Sequence, residues 1–360
     1  MFTINGKYTT ATVMSDTGDP ESIRQITQMV NSPSISNPVV IMPDFHAGKG
    51  SVVGFTMKAG EYICPNIVGV DIGCGMLMAE IDEPKFSHEE IDFLVRKAIP
   101  TGFNTHQRNV ASSNRWTNGQ LKLCDTVGMD KGRFQNSIGT LGGGNHFIEF
   151  GMYNDKWIVT IHSGSRNFGK VVAEYYQALA VTYSKGKEDV TNGLEYLPFD
   201  DYIEGMYLAQ KYAGQNRNTM LELLTGALGV SIKSSIESVH NFIGDDGYIR
   251  KGATNADVDS PIILPFNRRD GIWVMIGKGN DGWNNSAPHG AGRVMSRGEA
   301  KRKLGASEVK IDLDNAGVFS SYDPLDEAPD AYKTPEEIQR YINETADFLY
   351  AVKPIINIKG

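Results

Sequence analysis

Residues 146–162 read HFIEFGMYNDKWIVTIH. Two runs rich in β-branched and aromatic residues flank Asn154-Asp155, a pair suited to a tight turn, so the stretch reads as a β-hairpin. Period-two alternation puts Asn145, Phe147 and Glu149 on one face of the first strand and His146 on the other. Pairing about the turn brings His146 close to the partner end of His162. Two imidazoles at the open end of a hairpin suit a metal ion. A glycine-rich hairpin loop with a satisfied histidine is the plain alternative.

Outward from the hairpin lie the triple glycine Gly142-Gly143-Gly144 and, at the other end, His162-Ser163-Gly164-Ser165-Arg166. The glycines clear space for a ligand or a neighbouring backbone. The second stretch enters a helix, and a Ser/Gly/Arg loop at a helix N-terminus is a natural anion site, with Arg166 able to grip phosphate. The same residues also fit an N-capping serine beside a surface arginine. Further out, PVVIMPDF, SVVGFTM and NIVGVDIG (38–45, 51–57, 66–73) read as strands, and VHNFIGDDGYIRKG (239–252) as a second hairpin turning at Asp-Asp-Gly. Asp19-Pro20, the Ser87–Glu90 capping box and Thr334-Pro335-Glu336-Glu337 start helices. The longest helical pattern covers 198–229, with a break expected near Gly214; another helix is expected over 291–304. The pattern has neither repeats nor a linker, so one α+β domain over 1–360 is the reading: mixed β-sheets with surrounding helices.

Composition narrows the function. The 360 residues carry a formal charge of −8, which argues against a non-specific nucleic-acid binder but leaves room for a local basic groove. The 39 glycines point to many tight turns or close ligand approaches. Cys64, Cys74 and Cys124 are an odd number, which fits a reducing cytoplasm better than a disulfide framework. No stretch is long and apolar enough to span a membrane, and the N-terminus has no signal-peptide pattern.

Metal-type side chains recur beside glycines. Asp71-Ile72-Gly73-Cys74 follows a strand, and a Gly-bounded turn can aim Asp71 and Cys74 at one point; a capping aspartate and a small buried cysteine are the bland reading. His240 lies on a strand, where a lone histidine is more often structural. One cysteine, one aspartate and three histidines can form a mixed site for Zn²⁺, Mn²⁺ or Fe²⁺. His289 differs. The stretch His289-Gly290-Ala291-Gly292-Arg293 has minimal side chains, offers backbone N–H groups to a phosphate and keeps Arg293 close. There a histidine can be a ligand, a general acid or base, or a nucleophile taking up a phosphoryl or nucleotidyl group.

In order along the chain, MPDFHAGKG (42–50), VGVDIGCGM (68–76), GTLGGGNHFIE (139–149), HSGSR (162–166), NR (216–217), HN (240–241), RKGAT (250–254), GKGN (277–280), HGAGR (289–293), SR (296–297), DEAPDAYK (326–333) and IKG (358–360) resemble the RtcB-type RNA-splicing ligases. The resemblance implies an RtcB-like single-domain fold and a cytoplasmic RNA ligase for RNA repair or tRNA splicing. It implies joining of an RNA 3′-phosphate or 2′,3′-cyclic phosphate to a 5′-hydroxyl with GTP and two Mn²⁺ ions, and archease as an activating partner. By motif position Asp71, Cys74, His146, His162 and His240 are the implied metal ligands, with Cys74 bridging. His289 is the implied nucleophile that becomes guanylylated, and Asp44 its candidate orienter. Asn145, Phe147, Glu149, Asn241, Pro265, Arg268, Ala291, Gly292, Tyr332 and Lys359 are the implied GTP contacts, with Tyr332 packing on the base and Glu149 and Lys359 reading the guanine edge.

One loop departs from the family. Where its members resemble Pro-Gly-Ser-Met-Gly followed by a serine, this chain has Pro265-Phe266-Asn267-Arg268-Arg269 and then Ile272. That puts base choice in question and offers Arg268 and Arg269 to triphosphate or RNA. The chain also looks short for the family, as if peripheral RNA-binding insertions were missing. Two other functions are compatible: a metal-dependent phosphoesterase that opens 2′,3′-cyclic phosphates without ligating, and a non-catalytic RNA-end binder.

Overall fold

The computed structural model describes residues 1–111 and 115–360. Two large sheets organise the described residues, in keeping with the expected α+β class. The first has six strands in the order Phe2–Asn5, Thr10–Val13, Val39–His46, Val53–Lys58, Tyr248–Lys251 and Asn241–Ile243. Its one parallel pair, Thr10–Val13 with Val39–His46, is bridged by the helix Pro20–Val30, which Asp19 caps as expected. The second is an antiparallel seven-stranded sheet. Its order is Ile232–Val239, Gly75–Ile81, Lys156–Ser163, Phe147–Tyr153, Ala346–Lys359, Gly271–Gly277 and Pro261–Asn267. It curls until its two edge strands approach each other.

The central hairpin forms as the sequence predicts. Tyr153 pairs with Lys156, and Asn154 and Asp155 take φ of 47° and 58°, the left-handed pair of a type I′ turn. Its register sets Phe147 opposite His162. The second hairpin also forms, closing at 244–247.

Two expected helix bounds are overturned. The helix Phe199–Leu228 runs unbroken through Gly214. Glycine mid-helix costs about 1 kcal/mol relative to alanine, and the buried neighbours Tyr212, Ala213, Asn216 and Arg217 tie that turn down on both sides. The helix expected over 291–304 begins only at Arg297, capped by Ser296. Residues 291–295 stay out of the helix because their backbone is bonded elsewhere: Ala291 N–H to the Pro265 carbonyl, Val294 N–H to that of Ala331. Gly292, at φ 73°, lies so close to Asp44 that a Cβ would come within 2.5 Å of its carbonyl oxygen. His240 is not within a strand either. It links Ile232–Val239 to Asn241–Ile243, and so sits where the chain passes from one sheet to the other.

The long helix spans the two main cores. Tyr202, Met206, Ala209 and Tyr212 pack with the six-stranded sheet and the helix Arg166–Ser184. Met220, Leu221, Leu224 and Leu228 pack against the seven-stranded sheet and the helix His88–Ala98. Asn216 and Arg217 fall between, fully buried. A third apolar cluster, Met76, Met78, Phe147, Ile263, Ile272 and Val352, lines the inside of the curled sheet.

Candidate metal and nucleotide site

Cys74 lies at the turn entering the strand Gly75–Ile81, whose register pairs Met76 with His162. Its Sγ stands 3.5 Å from Nε2 of His146 and 3.4 Å from Nε2 of His162. Nε2 of His162 is 3.3 Å from Nε2 of His240, and Nε2 of His146 is 3.0 Å from Oδ2 of Asp71. Two groups of potential ligands result, Asp71–Cys74–His146 and Cys74–His162–His240, sharing the cysteine. The five expected ligands are therefore brought together.

Hydrogen bonding decides which nitrogens face the centre. Nδ1 of His146 donates to the Leu141 carbonyl and Nδ1 of His162 to that of Asn145. With Nδ1 turned to a carbonyl, each ring presents its Nε2 to the centre. Burial pushes His162 and His240 well below the usual histidine range, so both are neutral. Asp71 is pushed up by burial, but His146, Arg166 and the Ser165 N–H outweigh that and hold it below the usual carboxylate range. Burial, then Asp71, raises the Cys74 thiol well above its ordinary value. Imidazole nitrogens and a carboxylate converging on a buried thiol form a donor set that fits a thiophilic or borderline divalent cation.

Asn216 and Arg217, whose signal was only the NR motif, carry the frame. The Asn216 amide donates to the carbonyls of Thr140 and Gly164 and to Oγ of Ser163, and accepts from the N–H groups of Gly139 and Thr140. Arg217 donates to the carbonyls of Gly73 and Ser163, each at 2.7 Å, and pairs with Glu237. The neighbours of Cys74 and His162 are thus pinned to one helix.

The arginine of the HSGSR stretch, and the glycines Gly142 and Gly164, do different work from that expected. The anion at the helix N-terminus is the chain's own Asp71, accepting from the Ser165 N–H at 3.0 Å. Arg166 points away from the cavity, to Thr140 Oγ1 and the Gly102 carbonyl. Gly142 and Gly164 make room for side chains: a Cβ would come within 2.0 Å of Arg166 and 2.1 Å of Asp71 respectively.

Beside the ligands opens a cavity of about 790 Å³, large enough for a nucleotide. Asn145, Phe147, Glu149, Pro265, Arg268, Ala291, Gly292, Tyr332 and Lys359 line it, as does His289. Asn241 does not: its amide bonds the Asp71 carbonyl and the Gly252 N–H, securing the ligand turn. Nδ1 of His289 lies 2.7 Å from Oδ2 of the fully buried Asp44, close enough to bond though off line for it, and the His289 N–H donates to the same oxygen at 3.2 Å. On one side the His289 ring tilts against His240, on the other it stacks on His46, which the sequence reading did not single out within its own PDFH motif.

Glu327, also unforeseen, is the electrostatic hub of the wall. Its buried carboxylate takes Lys359 at 2.9 Å, Arg297 at 2.6 Å, the Tyr332 hydroxyl at 2.6 Å and Arg293 at 3.4 Å. Lys359 therefore pairs with Glu327 rather than Glu149, and Arg293 lies over the Tyr332 ring at 4.8 Å. Of the two arginines in the divergent loop, Arg269 faces Asp270, Asp312 and Asp330 outside the cavity, whereas Arg268 reaches its wall.

Fold and site define an α+β protein with two groups of potential metal ligands, sharing one cysteine, beside a nucleotide-sized cavity. Comparison with known proteins places it more narrowly: residues 25–360 match the family model described as tRNA-splicing ligase RtcB, and the chain belongs to that family. It is similar to two Escherichia coli proteins, RNA-splicing ligase RtcB1 and RNA-splicing ligase RtcB, each 28% identical across 95% of both chains. The tRNA-splicing ligase RtcB of Archaeoglobus fulgidus is 27% identical over 89% of this chain and 86% of its own. These alignments extend over 390, 391 and 423 positions, more than the 360 residues available, so the relatives carry residues this chain lacks.

Proposed function

We propose that this chain is an RNA ligase of the RtcB kind, using GTP and Mn²⁺ to join an RNA 3′-phosphate or 2′,3′-cyclic phosphate end to a 5′-hydroxyl. The observation that carries the reading is His289, braced by Asp44 and set between the cysteine-centred ligand cluster and a nucleotide-sized cavity. The printed names of the relatives, RNA- and tRNA-splicing ligases, support it.

Asp71, Cys74, His146, His162 and His240 would hold the manganese, which when bound supplies charge neutralisation to transferring phosphates. The remaining work belongs to the chain. The Asp44 carboxylate, 2.7 Å from Nδ1 of His289, would keep a proton on that nitrogen, leaving Nε2 free to attack. Nε2 forms a bond to the α-phosphorus of GTP as the bond to pyrophosphate breaks. GMP then passes to the RNA 3′-phosphate oxygen, releasing His289. The 5′-hydroxyl oxygen attacks that activated phosphorus, losing its proton, and GMP leaves as the diester forms. A cyclic phosphate is first opened by water.

The test is incubation with Mn²⁺ and α-phosphate-labelled GTP, followed by denaturation. The wild type should retain label and His289→Ala should not, with both binding metal alike. Cyclic ends opened but never joined, with no labelled protein, would replace this reading with the phosphoesterase.

A further inference from the structure

Phe103 is 97% exposed, the most exposed large apolar side chain among the described residues. It stands at the tip of a turn fastened to the segment that leads into His146. The Asn104 N–H closes the turn on the Thr101 carbonyl at 3.2 Å, and the Gly102 N–H donates to the Gly142 carbonyl at 2.9 Å. Arg166 donates to the Gly102 carbonyl from the other side. Single exposed apolar side chains are ordinary on protein surfaces, so the surroundings decide what this one is for. Residues 104–109, NTHQRN, are polar or basic, and no apolar patch surrounds the ring of the kind a protein partner would bury.

A strip of bare backbone leads from the turn to the cavity. Gly142 is joined to Gly102, Gly143 and Gly144 follow without side chains, and Asn145 is both exposed and part of the cavity wall. Gly144, at φ 75°, has a backbone that favours glycine. Gly143 has no such reason. Its φ is not positive, and a Cβ there would meet nothing nearer than 3.7 Å. The chain thus leaves this surface uncovered where it has room to cover it. Arg297, 44% exposed, flanks the strip, with Nη2 3.9 Å from where a Cβ of Gly144 would lie.

An exposed aromatic ring, a track without side chains and a cation at its edge are the parts of a single-strand binding surface: a base stacks on the ring, and the sugar-phosphate backbone lies along the track. We infer that Phe103 is a stacking platform for an unpaired base of the 3′-phosphate RNA strand, whose end passes over Gly143 and Gly144 into the cavity; the inference rests on the RNA-ligase reading above. Gly142 to Asn145 spans at most about 11 Å, which places the stacked base within roughly three nucleotides of the cavity mouth.

The test uses single-stranded RNA ending in a 3′-phosphate, with 2-aminopurine placed in turn at successive positions near that end. Binding to the wild type with Mn²⁺ should quench the fluorescence at one position, and binding to Phe103→Ala should not. Phe103→Ala should bind the RNA about 5–100-fold more weakly. Phe103→Trp should bind at least as tightly as wild type, and Phe103→Leu, apolar but unable to stack, should resemble the alanine variant. An abasic nucleotide at the quenched position should weaken the wild type by the same factor and cost Phe103→Ala nothing more. Equal RNA binding by wild type and Phe103→Ala overturns the inference, as does a Phe103→Leu variant that matches wild type. Labelling of His289 by GTP, which needs no RNA, separates the two readings. A wild type that labels and binds RNA regardless of Phe103 loses this inference alone, whereas one that neither labels nor binds RNA ends loses the ligase reading with it.

Discussion

Replacing Arg217 by methionine tests how the cysteine-centred ligand cluster is held. The guanidinium is 1% exposed and gives 2.7 Å hydrogen bonds to the carbonyls of Gly73 and Ser163 as well as pairing with Glu237. Methionine fills much of the volume and supplies no donor. Two carbonyls are then stranded at about 1–3 kcal/mol each, while the Glu237 carboxylate, 38% exposed, recovers water and adds little. The expected destabilisation is about 3–5 kcal/mol, read as a lower urea midpoint at unchanged slope. Because Gly73 precedes Cys74 and Ser163 follows His162, Mn²⁺ affinity should fall by about 10–100-fold in the folded variant. Arg217→Lys should lie between, since one ammonium can replace Nη1, which serves both carbonyls, but not also the Nε and Nη2 that pair with Glu237. A loss below ~1 kcal/mol with unchanged metal affinity would refute the reasoning, because the two turns would then be held by something else.

Metal should stabilise the fold: Mn²⁺ at 100 times its dissociation constant should add ~2.7 kcal/mol, and Cys74→Ala, which removes the donor common to both ligand groups, should abolish most of that gain in thermal melts. Glu149 gives a pH signature of opposite sign to an ordinary carboxylate. Its folded value near 8 lies above the unfolded one near 4.5, so the folded chain keeps a proton the unfolded chain has released. Stability should fall as pH rises through that window, and Glu149→Gln should flatten the fall, gaining on the order of 2–4 kcal/mol over wild type at pH 9; parallel pH curves for the two proteins would count against it. Asp44→Asn should leave metal binding intact while slowing His289 labelling at least ~100-fold, measured in a single-turnover time course.

What could be read from sequence was local. The Asn154-Asp155 turn fixes the hairpin register, and the register alone brings His146 to His162. Capping residues likewise announce the helices at Pro20, His88 and Pro335. The failures are all long-range. A glycine in a helix looks like a break until the buried contacts of Asn216 and Arg217 are known, and Ala291-Gly292 looks helical until Pro265 and Asp44 claim its backbone. Arg166, Arg293 and Arg269 looked free for phosphate because nothing in their own segments shows the carbonyls and carboxylates that distant residues bring to them. Glu327 was hidden for the same reason: its partners come from 293, 297, 332 and 359.

The position of His240, at the step between the two sheets, bears on how the protein comes into being. During synthesis the Cys74 thiol emerges from the ribosome well before His240, and Lys359 of the cavity wall follows later still. A nascent chain can therefore offer metals only fragments of the final donor set, and fragments with a free thiol favour softer ions than the finished site is proposed to use. The complete donor set exists only once both sheets have assembled around the crossing. Any choice among ions is thus made by a folded cage rather than by the order in which its ligands are made.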